Sequence, residues 1–245
     1  MTELSHLRSL TAARIGLPRS GASIGTGPLL DLRLAHARAR DAVHAPLDLA
    51  ALLPQLPPPV LCVESQAPDR RTYLMRPDLG RALTPAAQEV LAPHAGTYDL
   101  AVVLGDGLSA LAVERHAIPL LDRLLSALGA WCLAPLTVVT GARVAVGDAV
   151  ARALGAAAVL ILIGERPGLS APDSLGAYLT WAPGPGTTDA DRNCISNIRP
   201  EGLDYDAAAH RLHHLLQRAR GLRQTGVALK DESDAPSNLS AGSTS

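Results

Sequence analysis

Residues 98–110, which read YDLAVVLGDGLSA, decide the fold of this 245-residue chain. The first seven residues carry the apolar and β-branched side chains that are typical of a buried strand. The next six residues, GDGLSA, form a turn into a helix that is predicted to continue to Leu128. A strand that turns directly into a helix is the building unit of parallel α/β sheets.

The same alternation recurs on both sides of this stretch. Further strands are predicted at residues 60–64, 136–140, 157–163 and 177–181. Helices are predicted at residues 29–44, 85–91, 147–154 and 205–220. We therefore predict an α/β fold with a Rossmann-like, mostly parallel sheet, helices on both faces, and a helical N-terminal extension before the sheet.

Three parts of the chain differ in composition. Residues 1–59 are predicted to form an N-terminal arm and helical extension, which ends in the stiff linker PQLPPP at 54–59. Residues 60–230 are predicted to form the α/β domain. Residues 231–245, DESDAPSNLSAGSTS, have no apolar anchors and are predicted to be a disordered tail.

Composition excludes several classes of protein. The formal net charge of -1 lacks the basic excess that binding to a phosphate backbone needs, so nucleic acid is not expected as a partner. The longest apolar run, near residues 156–163, is too short to span a bilayer, and the N-terminus shows no secretory signal. Cys62, Cys132 and Cys194 are odd in number and widely separated, which fits a reducing cytoplasm.

A ligand site is predicted at one edge of the sheet. In parallel sheets, ligands bind beyond the C-terminal ends of the strands, where the connecting loops gather. The candidate loops are rich in Gly, Asp, Arg and Ser, and they cover residues 105–109, 141–148, 164–176 and 182–199. The last two belong to a long irregular segment, 164–202, whose apolar residues argue against disorder.

The turn at residues 105–110 matches the GxGxxA pattern of dinucleotide-binding sites. Such a turn holds a phosphate on backbone N–H groups at the start of a helix. No acidic residue ends the following strand, although a nicotinamide site normally has one there. A stand-alone NAD(P)-dependent oxidoreductase is therefore an alternative, beside a plain tight turn or another large ligand over the same edge.

Other candidate sites have a structural explanation as well as a chemical one. His210 and His214 are an i,i+4 pair that could bind a metal, but their helix is simply amphipathic. Cys194 or Ser196 would need a base to act as a nucleophile, and only the distant His116 offers one. Glu165 either pairs with the adjacent Arg166 or accepts a hydrogen bond from a ligand.

Long motifs in a fixed order carry a resemblance to a known family. They read RIGL at 14–17, LAHARARDAVH at 34–44, DRRTYLMRPDLGR at 69–81, DGLSA at 106–110, RVAVGD at 143–148, GERPGLSAPDSLGAYLTWAP at 164–183 and DRNCISNIRPEGL at 191–203. Over residues 14–230 the chain resembles the small subunit, or light chain, of adenosylcobalamin-dependent ethanolamine ammonia-lyase.

The resemblance implies a partner and an activity. It implies a large TIM-barrel subunit, a higher hetero-oligomer, and a cofactor that lies between the two kinds of subunit. The complex would convert ethanolamine to acetaldehyde and ammonia by an adenosylcobalamin radical mechanism. The substrate pocket would belong to the large subunit, so no catalytic residue is assigned to this chain. The alternative to an enzyme subunit is a binding protein, namely a cobalamin-binding module without a lyase role.

The resemblance also implies cofactor contacts and a location. By motif, the cobalamin contacts are Val144 in RVAVGD, Glu165 in GERPGL and Cys194 in RNCISN. No DxHxxG motif is present to supply an axial histidine, which implies that the cofactor's own benzimidazole stays on cobalt. The expected location is the cytoplasm. The resemblance leaves a bacterial microcompartment open as a location there, but the segment before RIGL is short compared with members that carry a leader for one, which argues against encapsulation.

Overall fold

The computed structural model describes residues 6–7, 10, 13–17, 19–231 and 233. The predicted disordered tail at 231–245 therefore lies almost wholly outside the described residues, as does the very start of the N-terminal arm. The division of the chain into an extension and a domain stays a prediction.

A six-stranded mixed sheet forms the centre of the protein. Its strands are β1 (Val60–Glu64), β2 (Tyr98–Gly105), β3 (Leu136–Thr140), β4 (Ala156–Gly164), β5 (Leu175–Trp181) and β6 (Arg192–Ile198). Their order across the sheet is β1-β3-β2-β4-β5-β6. The first four in that order are parallel, whereas β5 is antiparallel to β4 and β6 is antiparallel to β5.

Helices pack on both faces of the sheet, as predicted. The helices are α1 (Thr26–His44), α2 (Leu49–Leu52), α3 (Arg70–Met75), α4 (Pro85–Leu91), α5 (Ala110–Ala127), α6 (Val146–Leu154) and α7 (Tyr205–Leu222). Apolar residues of α5 and α7 bury one sheet face, and those of α4 and α6 bury the other. The cap predicted for α4 is present, since Thr84 Oγ1 accepts the Ala87 N–H at 3.1 Å.

Helix α1 buries few of its residues. Only Ala35 and Ala42 of its residues are buried. Leu30 and Leu34 are 58% and 51% exposed. None of the helices in the described ranges is long and apolar enough to cross a bilayer.

The predicted α/β fold with a mostly parallel sheet is confirmed, but the loop predicted at 182–199 is wrong for residues 192–198. Those residues form the edge strand β6, with Cys194 paired to Tyr178 of β5. Because β5 is antiparallel, Trp181 pairs with Ala158 near the start of β4. The loop after β5 therefore starts near the N-terminal ends of the parallel strands, whereas the predicted ligand site lies at their C-terminal ends.

A buried ion pair explains how β6 joins the sheet. The guanidinium of Arg192 donates to both carboxylate oxygens of Asp148, at the start of α6, at 2.7 Å each. It also donates to Thr180 Oγ1 at 2.8 Å. The two charged side chains are only 3% and 6% exposed. Arg192 thus fastens the edge strand to a helix that packs on the same sheet face.

Removing Asp148 should destabilise the chain strongly. Asp148→Ala leaves the Arg192 charge buried without its main partner, which costs about 3–5 kcal/mol of unfolding free energy. Urea denaturation measures the loss. The double change Asp148→Leu with Arg192→Met should recover much of it, since well-packed apolar residues replace buried ion pairs at little cost.

The control is Asp78→Ala, which removes an ion pair with Arg76 whose partners are 60% and 58% exposed. Its denaturation midpoint should stay near that of the wild-type chain. Equal midpoints for the Asp148→Ala and Asp78→Ala variants would contradict the importance assigned to the buried pair.

Candidate functional site

An open cleft of about 470 Å³ lies where the parallel strands end. Two of the three residues predicted from motifs, Val144 and Glu165, line it together. The other lining residues are Tyr73, Gly107, Leu108, Arg143, Ile163, Gly164, Arg166 and Tyr178. The cleft thus combines an apolar wall with a carboxylate, two guanidinium groups and two phenol rings.

Cys194 does not line this cleft but adjoins it. It lies within strand β6 opposite Tyr178, whose ring lines the cleft. The thiol is exposed and lies 3.2 Å from Ser196 Oγ. Burial, with the neighbouring Cys194 thiol as a further cause, raises the pKa of Tyr178. Tyr178 therefore keeps its proton at neutral pH and presents a hydroxyl group beside Cys194.

His116 is not a base for Cys194 or Ser196. Its Nδ1 lies 2.9 Å from the hydroxyl of Tyr205, and its Nε2 lies 3.5 Å from Asp173. Tyr205 begins α7, which covers the other face of the sheet. The predicted alternative of a nucleophile activated by His116 is therefore wrong.

Asp106 fixes the loop that carries Val144. Its carboxylate accepts the N–H groups of Gly141 at 3.0 Å and Ala142 at 2.8 Å. Arg70 Nη1 lies 3.8 Å from the same carboxylate and donates to the Gly107 carbonyl at 2.6 Å. Burial raises the pKa of Asp106, whereas these N–H groups and the Arg70 charge lower it. The carboxylate joins the turn after β2 to the turn after β3.

Glu165 is held by Ser174, just before β5, and by Asn197 of β6. One of its oxygens, Oε2, accepts the Asn197 N–H at 3.0 Å and the hydroxyl of Ser174. The Glu165 N–H donates to the Ser174 carbonyl at 2.9 Å. No hydrogen bond to Oε1, and no ion pair with Arg166, occurs among the described residues. Glu165 Oε1 therefore remains without a partner among the described residues. Of the two roles predicted for Glu165, the ion pair with Arg166 is not formed, and the contact with a ligand stays a prediction.

A bulge in β6 directs the Asn197 N–H toward Glu165. Leu175 pairs with Ile198, and Ala177 pairs with Ile195. Between these two pairs the chain advances three residues in β6 but only two in β5, so β6 contains one extra residue. Asn197 takes a left-handed conformation with φ 59, which asparagine tolerates better than most residues. Bulges commonly re-aim a group beside a functional site.

The glycine-rich turn packs closely against the end of β4. Gly107 has φ +59, and a Cβ there would lie 2.2 Å from the Gly164 carbonyl oxygen. The Leu108 N–H donates to that same carbonyl at 2.9 Å. The tight-turn reading accounts for these contacts, and one of the N–H groups that a dinucleotide phosphate would need is already used.

The predicted alternative of a histidine metal site gains no support. Within the described ranges, no group of three or more His, Cys, Asp or Glu side chains could hold a metal ion. The third histidine of this helix, His213, is not part of the i,i+4 pair, and its Nε2 lies 3.2 Å from the side-chain nitrogen of Gln217.

Arg143 and Tyr73 are cleft residues that the sequence did not single out. Arg143 directly precedes Val144 in RVAVGD, and Tyr73 lies in the motif DRRTYLMRPDLGR. Both motifs carried the family resemblance. Their presence in the same cleft depends on contacts 70 residues apart along the chain, which no local pattern reveals.

Comparisons with known proteins agree with one another. The family model described as "Ethanolamine ammonia-lyase light chain (EutC)" matches residues 1–230. A protein of Azotobacter vinelandii named ethanolamine ammonia-lyase small subunit is 55% identical, over 97% of this chain and 92% of its own length. Proteins of the same name from Xanthomonas campestris and Pseudomonas aeruginosa are each 54% identical, over 95% and 93% of this chain and 89% and 87% of theirs.

The Asp106 contacts predict a specific loss of stability. In an Asp106→Asn variant the amide NH₂ group must face one of two backbone N–H donors, which leaves a buried donor unsatisfied at a cost of about 1–3 kcal/mol. Chemical denaturation measures the change.

The matched control is Asp204→Asn. Asp204 caps α7 by accepting one N–H, from Ala207 at 2.8 Å, and asparagine caps helices about as well as aspartate. Equal losses of stability in the two variants would contradict the claim that both carboxylate oxygens of Asp106 are needed as acceptors.

Proposed function

The chain belongs to the ethanolamine ammonia-lyase light-chain family, and from this we propose that it binds adenosylcobalamin in the cleft and assembles with a large TIM-barrel subunit. The complex would convert ethanolamine to acetaldehyde and ammonia. One observation carries the proposal: Val144 and Glu165, assigned to the cofactor by their motifs, line the same cleft.

The chemistry of the cleft fits a corrinoid. A corrin ring has an apolar face and a rim of amide groups. Val144, Leu108 and Ile163 supply an apolar wall. Glu165 Oε1 is available to accept from an amide N–H, and Tyr178 is a neutral hydroxyl donor. Arg143 Nε is a buried donor without a hydrogen-bond partner among the described residues, which is typical of a site that awaits a polar ligand.

The openness of the cleft supports a partner subunit. Pockets of 300–1,000 Å³ enclose most of a drug-sized ligand. A corrinoid is larger than such ligands, and the cleft of about 470 Å³ covers only part of it. The rest of the cofactor would face another chain. Exposed Leu30 and Leu34 on α1 offer apolar surface that suits such an assembly.

The role proposed for this chain is to bind and orient. When bound, the cofactor supplies radical chemistry through cleavage of its cobalt–carbon bond, and the protein supplies position and electrostatics. Glu165 would fix one amide of the rim, and Val144 would pack against the ring. Substrate chemistry is assigned to the large subunit.

Co-expression tests the assignment as a subunit. The chain purified with the large subunit should release acetaldehyde and ammonia from ethanolamine only when adenosylcobalamin is added. The chain alone should release neither, and it should not bind NAD(P). Activity of the chain alone would refute the subunit assignment. A complex that retains cobalamin but never turns over ethanolamine would favour a binding module without a lyase role.

Substitutions in the cleft should weaken cofactor retention more than assembly. In a Glu165→Gln variant the amide oxygen must turn to the Asn197 N–H, so the group facing the cleft changes from acceptor to donor. Cys194→Ser changes the size and polarity of the thiol beside Tyr178. Cobalamin retained after gel filtration of the complex should fall in both variants, with the subunit ratio unchanged.

Two exposed residues outside the cleft provide matched controls. Glu89→Gln on α4 and Cys62→Ser on β1 repeat the same chemical changes elsewhere. Both should retain cobalamin like the wild-type complex. Parallel loss of cobalamin and of the large subunit in the Glu165→Gln or Cys194→Ser variant would mean that the residue serves assembly instead.

A further inference from the structure

Two guanidinium groups stack on one buried phenol ring at the wall of the cleft. The Cζ atoms of Arg143 and Arg70 lie 4.2 Å and 4.7 Å from the ring centroid of Tyr73. Tyr73 is 1% exposed, and its hydroxyl donates to the Ala142 carbonyl at 3.0 Å. The ring is therefore a fixed platform for both cations.

The positive charge of this stack is only partly balanced. Arg70 faces Asp106 at 3.8 Å. Arg143 forms no ion pair in the part of the chain that the structure describes, and its charge helps to lower the pKa of Arg70, for which burial is the larger cause. Arg166, exposed on the same cleft, has neither an ion pair nor a hydrogen bond within the described ranges. The cleft thus holds two guanidinium groups, neither of them in an ion pair among the described residues, and one carboxylate, that of Glu165.

Arg143 is held in place before any ligand arrives. Its Nη2 donates to the Tyr73 carbonyl at 3.0 Å, and its backbone N–H donates to the Gly80 carbonyl at 2.8 Å. A Cβ at Gly80 would lie 2.7 Å from Arg143 Cγ, so the stem of the arginine packs directly on that glycine. A side chain ordered in advance loses little entropy when it binds.

We propose that Arg143, assisted by Arg166, is the anion-recognition subsite of the cleft and binds a phosphodiester. The inference rests on the proposed function. The nucleotide loop of cobalamin carries a phosphodiester, whereas the amides of the corrin rim are neutral. Arginine suits this group because its planar fork forms two charge-assisted hydrogen bonds to phosphate oxygens. Arg143 would thereby distinguish complete cobalamins from corrinoids that lack the nucleotide.

Two corrinoids distinguish recognition of the phosphodiester by Arg143 from a purely structural role of Arg143 in the cleft. Equilibrium dialysis of the complex with the large subunit would use cyanocobalamin and dicyanocobinamide, which lacks the nucleotide and its phosphodiester. Arg143→Gln should weaken cyanocobalamin binding by about 10- to 100-fold, the range for a lost hydrogen bond to a charged group. Its affinity for cobinamide should stay within about twofold of wild type. Arg143→Lys should recover part of the loss, since it keeps the charge without the fork.

Arg152→Gln is the control, because this exposed arginine lies on α6 outside the cleft. It should leave both affinities unchanged. Equal weakening of both corrinoids by Arg143→Gln, unchanged cyanocobalamin binding, or loss of the large subunit would each overturn the inference. If the wild-type complex binds neither corrinoid, the proposed function fails as well. If it binds cyanocobalamin and Arg143→Gln does not alter this, the inference alone fails.

The wild-type complex gives a second measurement that needs no variant. Added sodium chloride screens a contact between charged groups. The affinity for cyanocobalamin should therefore fall with rising salt, while that for the cobinamide should change less. The same salt dependence for both corrinoids would overturn the inference even if the Arg143→Gln variant does not fold.

Discussion

The carboxylate of Asp106 accepts backbone N–H groups from Gly141 and Ala142, and these two hydrogen bonds join the turns that follow β2 and β3. The rest of the cleft depends on this connection. Arg70 reaches Asp106 from α3 and also donates to the Val43 carbonyl at 2.5 Å, which ties the end of α1 to the same point. One buried charge therefore fixes the loop of Val144 and supports the stack of Tyr73.

Local patterns in the sequence determine most of the fold. The apolar runs near 98–105 and 156–164 are strands because their residues pack against helices on both faces. Helix α4 begins at Pro85 because Thr84 caps it, a signal visible in the sequence alone. Val144 and Glu165 line one cleft because each lies in a loop that follows the C-terminal end of a parallel strand. In parallel sheets these loops gather at the same end of the sheet.

Other features arise only from contacts between distant segments. The run RNCISNI lacks regular alternation, since Arg192 is buried by an ion pair with Asp148, 44 residues away. Without that contact the segment resembles a loop, and the direction of β5 cannot be inferred. The cation stack likewise joins Tyr73 to Arg143, and neither residue is unusual in its own neighbourhood. Charge and aromatic contacts of this kind leave no periodic signal.

The antiparallel edge of the sheet also determines when the site can exist during synthesis. A growing chain that has passed Gly164 already contains all four parallel strands, together with Tyr73, Arg143 and Val144. It still lacks Ser174 and Asn197, the residues that orient Glu165. Because domains fold as the chain leaves the ribosome, the Glu165 side of the cleft cannot form until the last strand has been translated. A chain terminated directly after Glu165 would keep the parallel strands but lack the hydrogen bonds from Ser174 and Asn197 that orient Glu165.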